Sequence, residues 1–123
     1  MALTISEVHR RSEDALLNDE WFLVENQTEG VISTRGCRVT MTRPGGKKGL
    51  ELATLDPGFK VEPGGKVRVV CGRPGTKAHG KAPEDDVETY YLLMKAPLLK
   101  WDGGTLKIVK GQLSLASVVI TPP

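Results

Sequence analysis

The chain has 123 residues, 39% of them hydrophobic and 26% charged, with a formal net charge of +2. That is chain enough for one core and too balanced in composition for a disordered segment, so a single domain over residues 1–123 is expected. Two cysteines are too few for a disulfide framework, no apolar run approaches the roughly 18 residues of a membrane helix, and no basic-then-apolar leader is visible, so a cytoplasmic protein without membrane contact is expected.

Residues 4–8 read as a first strand, and Ser12–Leu17, with a capping residue and helix formers, as a single helical turn. Trp21–Val24 is a continuous apolar run, the pattern of a strand covered on both faces or set mid-sheet. Asn26–Gly30 is a turn. Cys37, Val39 and Met41 then alternate with Arg38, Thr40 and Thr42, which predicts one face in the core and the other toward solvent. Turn chemistry follows at Arg43–Gly46, Asp56–Gly58 and Glu62–Gly65. Val67, Val69 and Cys71 alternate with Lys66, Arg68 and Val70, and another turn falls at Arg73–Gly75. Residues 84–94 open with acids that favour a helix N-terminus, but Thr89, Tyr90 and Tyr91 favour a strand, and a short irregular strand is expected. After the Asp102–Gly104 turn, Leu106 and Ile108 alternate with Thr105 and Lys107, Lys110–Gln112 reads as a hairpin connection, and Val118–Ile120 reads as a strand covered on both sides or set mid-sheet. The pattern is all-β, with about seven or eight strands expected.

The ordering of these pieces resembles the lamin tail domain family. The stretches that carry the likeness are Leu3–Val8, the Glu20-Trp21 strand ending in Asn26, the Val31–Val39 segment with Gly36, the Pro63-Gly64 turn with the strand after it, and the closing Asp102–Ile108 segment. They span roughly residues 3–120. Cys37, Leu23 and Thr105 stand where that family commonly has Trp, an acid and Asp. The resemblance implies an immunoglobulin-like β-sandwich, mostly antiparallel, that serves as a non-catalytic binding or scaffolding module.

The residues themselves offer little chemistry. His9, Cys37, Cys71 and His79 have no zinc-type spacing, so no metal site is expected. Both cysteines fall on inward faces, where a thiol is inert; buried free thiols are expected over a Cys37–Cys71 bridge. Glu84-Asp85-Asp86 is a solvated acidic run and not a catalytic pair, and Arg43–Gly49 lacks the phosphate-loop pattern, so no catalytic residue and no cofactor are assigned. Trp101, beside Lys100, is expected at a strand edge. Residues 35–81 hold eleven basic and three acidic residues, while the rest of the chain is net acidic. The lamin-tail resemblance makes a protein partner the first expectation; weak polyanion or DNA contact through this basic segment is one alternative, and an enzyme of unrecognised type is the other. The candidate contacts are Arg43, Lys47 and Lys48 on a Gly-rich tip, joined by Lys60, Lys66 and Arg68, the last two about 7 Å apart on one strand face.

Overall fold

A computed structural model describes residues 2–10, 16–74, 83, 85–96, 99 and 102–121. Among these residues there are ten strands: β1 Thr4–His9, β2 Trp21–Glu25, β3 Ile32–Ser33, β4 Arg38–Thr42, β5 Gly49–Thr54, β6 Lys60–Val61, β7 Lys66–Val70, β8 Glu88–Tyr91, β9 Thr105–Lys110 and β10 Leu113–Val119. One sheet runs β1-β2-β7-β8, a second runs β10-β9-β4-β5, and β3 pairs with β6. The count exceeds the expected seven or eight because the turn-rich segments 32–33 and 60–61 form a two-residue pair of their own. Every pairing is antiparallel except β7 with β8, which are parallel.

The two four-stranded sheets share one core. Ile5, Phe22, Val24, Val67 and Val69 from the first sheet meet Val39, Met41, Leu106, Ile108 and Ala116 from the second, so the chain is an all-β sandwich. The alternation explains the choice of face. In β4, Val39 and Met41 point in while Arg38, Thr40 and Thr42 point out, and β9 does the same with Leu106 and Ile108. Cys37 and Cys71 lie in this core as thiols, with no disulfide between them. Gly111-Gln112 closes the β9–β10 hairpin where a turn was expected.

The outer faces of the two sheets differ. On the first sheet, Trp21, Leu23 and Val70 form a second buried cluster, with Val87 and Tyr91 packed on it. This is the second cover that the apolar run 21–24 requires. The run 118–120 behaves otherwise: β10 is an edge strand, and Val119 is 59% exposed. Its apolar residues are divided between the core, which takes Ile120, and solvent.

The strand directions fix the two ends of the sandwich. β1 runs beside β10, with Leu3 N–H donating to the Leu115 carbonyl (2.8 Å) at one end and Arg10 reaching the Thr121 carbonyl (3.1 Å) at the other. The first end gathers the turns at Asn26, Thr34–Gly36, Leu55–Phe59 and Gly64-Gly65, tied by Asn26 to Gly65, Thr34 to Phe59 and Gly36 to Leu55. The second end holds the 43–48 tip, where Pro44 lies against Gly103, together with Arg10 and its ion-pair partner Asp102. Of the helical turn expected at Ser12–Leu17, residues 12–15 lie outside the described residues, and a 3₁₀ turn covers Leu17–Asp19.

Candidate binding surface

The six expected contacts do not gather into one site. Arg43, Lys47 and Lys48 are exposed on the β4–β5 tip at the second end. Lys60, on β6, and Lys66, opposite Glu25 at the start of β7, are exposed at the first end. Five- and six-residue strands at about 3.3 Å per residue separate the two groups by roughly 15–20 Å.

Arg68 is not available as a surface cation at all. It was expected on an open strand face with Lys66, but it is only 4% exposed. The segment before β8 covers that face. Arg68 Nη1 and Nη2 donate to the two carboxylate oxygens of Asp85 at 2.9 and 2.7 Å, and its guanidinium lies 4.6 Å from the Trp21 ring centre. A fork matched to a carboxylate, stacked on an indole, is a desolvated structural cation. Its hydrogen bonds hold the Asp85 carboxyl down at about 2. Within the acidic run 84–86, Asp85 is therefore a structural partner; Glu84 lies outside the described residues.

The second sheet supplies the open surface. Its outer face carries Arg38, Thr40 and Thr42 on β4, and on β9 Thr105, Lys107 and Val109. Thr40 pairs across with Lys107, and Arg38 sits diagonal to it on the same face. Ser114 and Ser117 extend the face over β10, and Lys47 overhangs it from the tip, leaving a shallow depression of about 250 Å³. Arg38 is steadied by donation to the Gly111 carbonyl at 2.8 Å. Gly49 shapes the rim, since a Cβ there would come within 3.3 Å of the Thr40 side chain. Among the described residues no apolar cluster covers this face, and Glu51 is the acid that β5 places beside it.

Arg38 and Lys107 are the residues sequence reasoning left out. Each is visible as an outward residue in its own alternating strand. Their meeting depends on β4 pairing with β9, a contact across nearly seventy residues that neither local pattern reveals. Among the described residues the exposed or half-buried cations of the basic tract thus divide between the second sheet's outer face, a hairpin tip and a distant turn region, with Arg68 buried apart from them.

The thiols and the described histidine are built into the structure. Burial pushes the Cys37 thiol up, away from the reactive thiolate, and Cys71 Sγ donates to the Ala96 carbonyl at 3.4 Å. His9 stacks on Trp21 with ring centres 5.0 Å apart, and its Nδ1–H donates to the Asp19 carbonyl. His79, Lys100 and Trp101 lie outside the described residues, as do Lys77 and Lys81 of the basic tract. Among the described residues no three His, Cys, Asp or Glu side chains gather as metal ligands, and no helix is long and apolar enough to cross a membrane. Compared with known proteins, the chain matches no protein-family model and no curated protein sequence.

Proposed function

We propose that the chain is a non-catalytic binding module of the lamin-tail, immunoglobulin-like type, and that it associates with a protein partner through the outer face of its β10-β9-β4-β5 sheet. One observation carries this reading. The outer face of the other sheet carries its own apolar cluster over β2 and β7, whereas this one presents half-buried Arg38 and Lys107 among hydroxyls, with no apolar cluster over them among the described residues. Such a face suits acidic and hydrogen-bonding groups, and its lack of aromatics disfavours stacking on bases or sugars.

The lamin-tail likeness is supported by the structural work of its motif residues. Asn26, at the end of the Glu-Trp strand, is fully buried and ties three segments together. Gly36 and Gly64 both adopt positive φ (77° and 74°), which side chains rarely accept. Cys37, where the family commonly has Trp, fills a core position.

A second reading, weak contact with a polyanion, is favoured by Lys47, which joins the cationic tip to the open face. Affinity purification from the protein's own cells, with and without nuclease, separates the two. A protein partner retained by the wild type after nuclease, and lost with Arg38→Glu/Lys107→Glu, supports the first. Retention of nucleic acid alone supports the second. Equal retention of partners by wild type and variant refutes the assignment of the face.

A further inference from the structure

We propose that the free edge of β5 docks an extended segment of a partner protein, one that carries an apolar side chain followed by acids at the end that meets Lys47 and Lys48. The inference goes beyond the sheet-face reading to a second surface, and shares with it only the expectation of a protein partner.

Among the described residues β5 is the last strand of its sheet, and Gly49, Leu50, Glu51 and Thr54 are exposed. Every second residue of such a strand turns its N–H and C=O away from the sheet, which is a template for another strand. Natural edges are blunted by lysines and prolines within the strand, and β5 has neither. Its one ionised group, Glu51, accepts from Thr54 Oγ1 at 3.2 Å. One protective device is present. The register jumps from Val39 opposite Ala53 to Thr40 opposite Glu51, so Leu52 is a bulge that bends the second half of the edge. Pairing is therefore confined to Gly49–Glu51, beside the tip.

The other described edges offer less. β1 and β10 lie alongside each other, pinned at both ends by the Leu3–Leu115 and Arg10–Thr121 bonds. β8 has four residues, and Tyr90 and Tyr91 are committed to packing against the two clusters.

The surroundings of Gly49–Glu51 select the occupant. Leu50 is a core-side residue, paired with Met41, yet it is 47% exposed. It borders a depression of about 390 Å³ lined also by Met41, Arg43, Lys47 and Lys48. An apolar floor under a cationic rim matches a strand with one apolar side chain over Leu50 and carboxylates over the lysines. In an antiparallel arrangement those carboxylates lie at the segment's C-terminal end. This is strand addition, in which backbone bonds give affinity and the side-chain pocket gives selectivity.

The test uses the whole chain, labelled with ¹⁵N, and a short synthetic peptide of alternating valine and threonine ending in two glutamates. Two controls accompany it: the same peptide ending in two lysines, and an N-methylated form that lacks strand donors. The expected result is shifts across Gly49–Glu51 with slowed exchange at those of its amides that face away from β4, binding about tenfold weaker for the lysine-ended peptide, and none for the N-methylated one. Leu50→Lys is expected to abolish binding while leaving the rest of the spectrum in place, and the N-methylated peptide carries the same test without altering the protein. Equal binding of acid- and lysine-ended peptides, or shifts confined to the Arg38–Lys107 face, overturns the proposal. So do concentration-dependent shifts at Gly49–Glu51 without peptide, which would make the occupant a second copy. Because Arg38→Glu/Lys107→Glu leaves the edge intact, failure of the sheet-face reading remains distinguishable from failure of this one.

Discussion

Replacing Asn26 tests how the turn-rich end of the sandwich is held. The Asn26 side chain donates to the Gly30 carbonyl (2.7 Å) and the Val61 carbonyl (2.8 Å), and accepts from Thr28 N–H (2.9 Å) and Thr28 Oγ1 (2.7 Å). It uses most of an amide's hydrogen-bonding capacity while fully buried, and it links the end of β2 to its own turn and to β6. Asn26→Ala removes four hydrogen bonds. At about 1 kcal/mol for each lost bond, less whatever water restores to the turn, the cost is about 3 kcal/mol, a large share of a typical 5–15 kcal/mol stability. Asn26→Asp is more informative. The carboxylate keeps the acceptor for Thr28 but sets a negative oxygen against two carbonyls that need a donor. Its folded pKa should rise above the unfolded value, so the destabilisation is full at neutral pH and is relieved as the pH falls and the acid gains a proton to donate. Urea denaturation of both variants at pH 7 and pH 4.5 measures this. If Asn26→Asp is as stable as wild type at pH 7, or its deficit does not shrink at pH 4.5, the buried hub described here is wrong.

Both thiols should react slowly with a thiol reagent until denaturant is added, because each is fully buried and burial disfavours the Cys37 thiolate; rapid native labelling would contradict their placement. The Arg68–Asp85 pair should make stability pH-dependent. The Asp85 carboxyl is lowered from 3.8 to about 2, so the pair's contribution is present above pH 4 and is lost as the pH falls toward 2, a loss that Asp85→Asn should remove from an acid-unfolding curve. Val69→Asp should unfold the domain, since it sets an unpaired carboxylate at a fully buried position at a cost of several kcal/mol, and circular dichroism would report it.

Local patterns were enough for the strands and their inward faces. The alternations in β4, β7 and β9 reflect a pleat with one face against the core, so Val39, Val67, Val69, Leu106 and Ile108 were identifiable as core from neighbouring residues alone. What local patterns lacked was which outward face would be covered. Arg68 and Lys107 look alike in sequence, each a cation between β-branched or aliphatic neighbours. Arg68 is buried because a segment seventeen residues on brings Asp85 across it, and Lys107 stays on the open face because β4 and β10 flank it and nothing described crosses above. The exposed Val119 is a related case: an apolar run marks a strand, but whether it lies mid-sheet or at an edge depends on pairing order. The candidate surface was legible only as charge, and its assembly from β4 and β9 is a tertiary fact.

The split of the basic residues makes the polyanion alternative separable by position. A duplex or heparin chain following the tip can engage Arg43, Lys47 and Lys48, and continue over the open face to Lys107 and Arg38, because Lys47 borders both. It cannot at the same time reach Lys60 and Lys66 without turning the far end of the sandwich. Each phosphate neutralised on duplex DNA contributes about 0.9 to the slope of log affinity against log salt. Arg43→Ser/Lys47→Ser/Lys48→Ser should therefore weaken binding and lower the slope by about 2–3, whereas Lys60→Ser/Lys66→Ser should leave both close to wild type. Fluorescence anisotropy with a labelled duplex across a salt series measures the two slopes in one experiment. Equal losses from the two variants would mean that diffuse net charge, and not the tip and face, governs the contact. No binding at low ionic strength would remove the polyanion reading and leave protein association alone.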